Sequence, residues 1–160
     1  MQTTTTHKYT QSVDEIAAAF LDEGFLTAKF ETLGSRNIDI TVTAYDDDTF
    51  KVVTKREAAA DVPRALKSVV KPWNAIVQTE SWSGTDGGPY HADIEITTEG
   101  VPATINTTID ITAAGDGCEC VTNNEITCSI PLVGKQLAKF IAKESLKVLE
   151  EEYGFISESA

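Results

Sequence analysis

Between Asn37 and Ser129, apolar side chains recur at every second position, the spacing of strands with one covered face. Asn37 to Ala44 places Ile38, Ile40, Val42 and Ala44 on one side, and Phe50 to Ala58 follows with Phe50 and Val52. Asn74 to Ser83 ends at Trp82, and either of its faces can be the inner one. Tyr90 to Thr98 aligns Tyr90, Ala92, Ile94 and Ile96, leaving His91 on the opposite side. Ala103 to Ala113 aligns Ile105, Ile109 and Ile111, and Cys118 to Ser129 closes the series. Acidic, Gly-rich or Pro-containing turns separate these runs at Asp46–Asp48, Ser83–Pro89, Gly100–Pro102 and Gly115–Gly117. A shorter strand is predicted over Thr5–Gln11, after a frayed terminus.

The period changes to 3.6 before and after this block. From Ile130 to Tyr153, Val133, Leu137, Phe140, Ile141 and Val148 share one helical face, with Pro131 in the first turn. Such a helix spans roughly 30 Å. Near the start, Ser12 and Glu15 form a capping box, and Val13, Ile16, Ala17, Phe20 and Leu21 make an apolar stripe ending at Gly24. A second short helix is predicted over Phe25–Leu33, ending at Gly34. Asp61 to Lys71 carries a helical hint with Leu66, Val69 and Val70, and Pro72 stops it.

Strands joined by short turns pair antiparallel. One apolar face per strand needs one covering layer, and only helices remain to supply it. The expected architecture is therefore α+β of the helix-grip type: a curved antiparallel sheet of about seven strands, two short helices after the first strand, and a long C-terminal helix across the sheet. One domain is expected over residues 1–160. Its interior lies between sheet and helix, where a cavity of roughly 300 Å³ or more would suit a small molecule.

The net charge of −12 argues against nucleic acid and against anionic membrane surfaces, which select clusters of Lys and Arg. No apolar run reaches the ~20 residues of a membrane span, and the first ten residues are polar, so a cytoplasmic location is expected. Cys118, Cys120 and Cys128 share parity and read as small buried side chains. Cys120 and Cys128 would lie roughly 26 Å apart along a strand, too far to share a tetrahedral ion. No metal site and no cofactor is expected. There is no nucleophile elbow, and the Gly-rich Ser83–Gly88 lacks the Lys and following helix of a phosphate loop.

The order of elements resembles the START-related, birch-pollen-allergen-like superfamily of helix-grip domains (SRPBCC), which includes polyketide cyclases and lipid-transfer proteins. Three stretches are similar to an uncharacterised actinobacterial family within it: Ser12–Glu15 through Ala18–Phe20, Gln78–Trp82, and Ile130–Lys135. The resemblance implies a cavity that binds hydrophobic small molecules, with enzymes a minority. It supplies no active-site signature.

Candidate cavity residues are those sharing an inward face: His7, Tyr9, Phe50, Val52, Arg56, Leu66, Trp82, Ile94, Ile109, Val133, Leu137, Phe140, Ile141 and Glu144. Glu144 stands within about 20° of the direction of Val133 in the helix stripe. It either faces the sheet, as a ligand anchor, an acid or a partner for Arg56, or lies at the open end in water. The segment carrying Leu66, Val69, Val70 and Trp73 is either a lid over the cavity or an ordinary packed connector. The leading expectation is binding of a hydrophobic, lipid-like or aromatic small molecule. A cyclase- or hydratase-type enzyme using His7, Arg56 and Glu144, and a protein-interaction module, stay open beside it. Nothing in the sequence fixes an oligomeric state.

Overall fold

The computed structural model describes residues 1–160. In chain order the elements are β1 (Gln2–Tyr9), α1 (Val13–Phe20), α2 (Glu23–Thr32), β2 (Arg36–Ala44), β3 (Thr49–Ala59), β4 (Trp73–Gly84), β5 (Tyr90–Thr98), β6 (Ala103–Ala114), β7 (Gly117–Cys128) and α3 (Gly134–Ser159). The strands form one antiparallel sheet in the order β1-β7-β6-β5-β4-β3-β2. From β2 to β7 each strand pairs with the next, through short turns except between β3 and β4, which the connector at 60–72 joins. Only β1 departs, crossing to pair with β7, with Tyr9 opposite Cys118. This is the helix-grip α+β fold.

Register carries the side-chain pattern across the sheet. Val52, Glu80, Ile94, Thr107 and Asn124 stand opposite one another in turn and all point inward. Trp82, Ala92, Ile109 and Thr122 form the adjoining inward row. The inner face of β4 is thereby settled as that of Gln78, Glu80 and Trp82. The inner face also carries Cys118 and Cys120, buried and free, while Cys128 is half-buried.

Ser12 caps α1 as the sequence predicts, with both bonds of the capping box present. The break between α1 and α2 falls at Leu21–Asp22 rather than Gly24. Asp22 caps α2 by accepting from the Phe25 N–H at 2.7 Å, and Gly24 lies inside the first turn. The Asp14 carboxylate accepts from the Gly87 N–H and the Tyr90 hydroxyl, pinning α1 to the β4–β5 loop. Ile16, Ala17, Leu26 and Phe30 then pack with Val52, Trp82, Ala92 and Ile111 in the main core. Gly117 is required where the β6–β7 turn meets β1, since a Cβ there would lie 2.0 Å from the Tyr9 carbonyl oxygen.

Three boundaries differ from expectation. β1 begins at Gln2, not Thr5, because β7 extends far enough to pair with all of Gln2–Tyr9. The segment at 61–71 holds only a 3-10 turn at Arg64–Leu66, too short to cover the sheet. α3 starts at Gly134, because Leu132 adopts a positive φ of 70° that breaks the helical path after Pro131. It runs six residues past Tyr153, where Ile156 is buried against the main core. No helix is long and apolar enough to cross a membrane.

Candidate functional site

α3 packs against β7, β1 and α2. Over the middle strands it stands off, and a cavity of about 260 Å³ lies between helix and sheet. This is slightly below the size anticipated from the fold. Of its 34 lining residues 21 are hydrophobic, so the interior favours apolar ligand surface. The floor includes Ile76, Ile94, Ile96 and Ile105, with Thr107, Thr122 and Asn124 toward β7. The helix wall repeats at three and four residues: Phe140, Ile141, Glu144, Ser145, Val148, Leu149, Glu152, Tyr153 and Ile156.

The structure divides the residues anticipated from sequence. His7, Tyr9, Arg56, Ile94, Ile109, Phe140, Ile141 and Glu144 border the cavity. Phe50, Val52 and Trp82 face inward but do not reach it. They pack in the main core, where the Phe20 ring lies over Trp82 at 5.3 Å. Leu66, Val133 and Leu137 also lie off the wall. They pack with Val70 in a second apolar cluster that joins the 61–71 connector to the start of α3. Trp73 is turned outward, with the Arg36 guanidinium 3.8 Å from its ring centre.

The most unusual feature is a set of charged groups held under the apolar roof. Lys29, only 3% exposed, donates to Glu152 at 2.7 Å. Its ammonium also sits 4.5 Å from the centre of the Phe30 ring, and the Arg56 guanidinium lies 4.2 Å from that ring. Arg56 donates through Nη1 to Gln78 Oε1 at 3.1 Å, and Gln78 Nε2 donates to Glu80 Oε2 at 2.8 Å. The Trp82 indole N–H completes the chain at Glu80 Oε1, 2.7 Å away. Burial pushes the Glu80 carboxyl above the usual carboxylate range, while the Trp82 bond and the nearby Lys29 charge oppose it. Burial lowers the Arg56 guanidinium from its ordinary value, against the pull of Glu152 and Glu80. The Tyr9 hydroxyl and Cys120 thiol are likewise pushed up by burial, the thiol to about 12, so neither is an available nucleophile near neutrality.

Arg56 borders the cavity, and of the roles open to Glu144 the pairing with Arg56 is not formed: the Arg56 partner is Gln78. Lys29 and Glu152 are not among the residues anticipated, and Glu80 stands on the strand whose inner face the sequence leaves open. Signals for two of them exist. Lys29 falls three after Leu26 and four before Leu33, on the apolar stripe of α2, and Glu152 follows Glu144 by eight residues on one helix face.

His7, Arg56 and Glu144 are not bonded to one another. His7 pairs with Glu150 at 2.7 Å and stacks on Tyr153 at 4.2 Å, a rim arrangement that anchors α3 to β1. Glu144 is half-buried on the cavity wall and bonds to no protein group. His91 lies on the outer face, 2.7 Å from Asp110 and 3.2 Å from Asp93.

Solved structures share this fold at low sequence identity. The protein TTHA0849 from Thermus thermophilus superposes with a TM-score of 0.66 at 12% identity, covering 99% of this chain and 95% of that one. The protein Ara h 8.0201 gives 0.60 at 12% identity over 99% of each chain. Norcoclaurine synthase from Thalictrum flavum gives 0.61 at 13% identity, over 100% of this chain and 89% of that one. Among curated proteins none matches in sequence. The family model that does match spans residues 4–158, and the chain belongs to that family, described as protein of unknown function (DUF2505).

Proposed function

We propose that this protein binds a small, largely apolar molecule in the space between its sheet and α3. The observation that carries the reading is a cavity of about 260 Å³ inside the grip, walled mainly by hydrophobic residues. Filling it with side chains would be the default of a protein interior, which packs densely with few voids. The volume lies just under the usual range for small-molecule sites and suits a ligand of one or two rings or a short chain. The same fold in norcoclaurine synthase is described in complex with dopamine and hydroxybenzaldehyde, two small aromatic molecules.

Native mass spectrometry of protein purified from its own host tests this. The expected result is a co-purifying species of a few hundred daltons that dissociates on denaturation. Ser145→Phe places a ring into the cavity from the helix wall, and it is expected to abolish that species while leaving the circular dichroism spectrum unchanged. Repeated recovery of bare protein, together with failure of any apolar fluorophore to bind in a way that Ser145→Phe blocks, would remove the basis for the proposal.

A further inference from the structure

The polar groups of the cavity are unevenly paired. Lys29 has a carboxylate partner in Glu152, and Glu80 has donors on both oxygens. Arg56 is different. No Asp or Glu oxygen lies within 4.0 Å of its guanidinium, and its single side-chain partner is the neutral amide oxygen of Gln78. A guanidinium presents five N–H donors in a planar fork. One is used here, and Arg56 borders the cavity.

Glu80 and Glu152 are near enough to pull on Arg56, but neither touches it. A buried cation with no carboxylate in direct contact is only partly compensated, and a carboxylate received by a guanidinium in two parallel bonds is the arrangement that best completes it. The Phe30 ring beneath Arg56 and the Gln78 bond beside it hold the fork in place before any ligand arrives. Gln78 is itself fixed by Glu80 and Trp82. The other end of the helix wall has the opposite character. Glu144 lies eight residues before Glu152, roughly 12 Å along α3, and has no cationic partner. An anionic head would meet an unpaired carboxylate there, whereas near Arg56 the carboxylates of Glu80 and Glu152 already have their own donors and the guanidinium fork is left over, so the cavity has an electrical direction as well as a shape.

We infer that the ligand is a small amphiphilic carboxylate, an aromatic or short-chain acid whose anionic head sits on the Arg56 fork and whose apolar body lies along Ile94, Ile96, Ile141 and Val148. The inference rests on the cavity reading above and names its ligand class. The net charge of −12 disfavours approach of any anion, so selection depends on this local pairing, not on long-range attraction.

A matched pair of probes tests it by isothermal calorimetry: 2-naphthylacetate and the neutral 2-naphthylacetamide, which share shape but not charge. The wild-type protein is expected to bind the acid roughly tenfold or more tightly than the amide, the difference a charge-assisted pair supplies. Arg56→Met is expected to erase that preference, and Arg56→Lys to keep part of it. Equal affinity of the wild type for the two probes overturns the carboxylate assignment and leaves the cavity reading standing. A preference that survives Arg56→Met overturns it too. Binding of neither probe at millimolar concentration overturns the cavity reading and the assignment together. The wild-type comparison decides the matter even where Arg56→Met does not fold.

Discussion

Lys29 on the second helix and Glu152 on the last meet at 2.7 Å, with Lys29 3% exposed and the Glu152 side chain 20% exposed. This is the one ion pair that joins the small helices to α3, and it sits at the cavity's edge. Removing one partner strands the other charge away from water. Lys29→Met is therefore expected to lower stability by about 2–4 kcal/mol, somewhat less than a fully enclosed pair because Glu152 retains some access to solvent. Lys29→Met combined with Glu152→Gln is expected to recover part of the loss. Urea denaturation of the two single variants and the double variant gives the coupling directly, and strict additivity would show the pair to be inert.

Glu80 depends on Trp82 in a similar way. Trp82→Phe keeps most of the ring packing but removes the N–H that Glu80 Oε1 accepts. A buried oxygen left without a donor costs about 1–3 kcal/mol. The lost bond is one of the influences holding the Glu80 carboxyl down, so its titration should move further upward. Following the Glu80 carbonyl stretch against pH by difference infrared spectroscopy, with Glu80→Gln as the assignment control, separates this from a simple packing loss.

Thr54 is fully buried, and its hydroxyl oxygen has no hydrogen-bond partner. Thr54→Val replaces an unpartnered hydroxyl with a methyl of similar size. The expected outcome is a gain of about 1 kcal/mol in stability, read as a higher urea midpoint at unchanged slope. A loss of similar size would mean that the hydroxyl has a partner unseen among the protein groups.

His91 supplies a pH dependence on the outer face. Its bond to Asp110 comes first, and with Asp93 it raises the imidazole above its ordinary value, against a smaller opposing effect of burial. The folded protein therefore holds the proton more tightly than the unfolded chain. This stabilisation is complete below about pH 6.5, the unfolded value, and disappears as pH rises through the raised folded value. With 41% of the side chain exposed, the effect is screened and modest. His91→Gln is expected to flatten the fall in melting temperature across that window. A wild-type curve already flat there would remove the role given to Asp110.

Some of this molecule could be seen in the order of its residues and some could not. Ile94, Ile96, Ile105 and Ile109 alternate cleanly, so the inner faces of β5 and β6 follow from parity alone. On β4 parity is silent, because Gln78, Glu80 and Trp82 alternate with Ala75, Val77 and Thr79, and hydrophobicity does not separate the two sets. Only cross-strand register decides it. β1 has the same difficulty: Thr3 to Thr6 suit a strand but show no alternation, and pairing with β7 is what orders them. Lys29 and Glu152 are only faintly marked, by their places on helix faces, for a different reason. Charged residues are presumed to face water unless a partner is known, and their partners lie 123 positions apart. Nor does periodicity reveal whether an inward face meets another side chain or an empty space, which is why Phe50, Val52 and Leu137 read as wall residues although they pack in the two apolar clusters.

The bonds that seat α3 also govern how the chain reaches this state. Glu150 meets His7 across 143 positions, and the Tyr153 hydroxyl donates to the Lys8 carbonyl across 145. Loops of that length cost conformational entropy before their contacts return anything. The hairpins from β2 to β7 close much shorter loops, since each strand pairs with the next. Pairing among β2 to β7 is thus expected to precede the long-range docking of β1 on β7 and of α3 on the sheet. Until it occurs, the isoleucine-lined face of the sheet stands open to solvent, and the half-folded chain is at its most vulnerable to self-association.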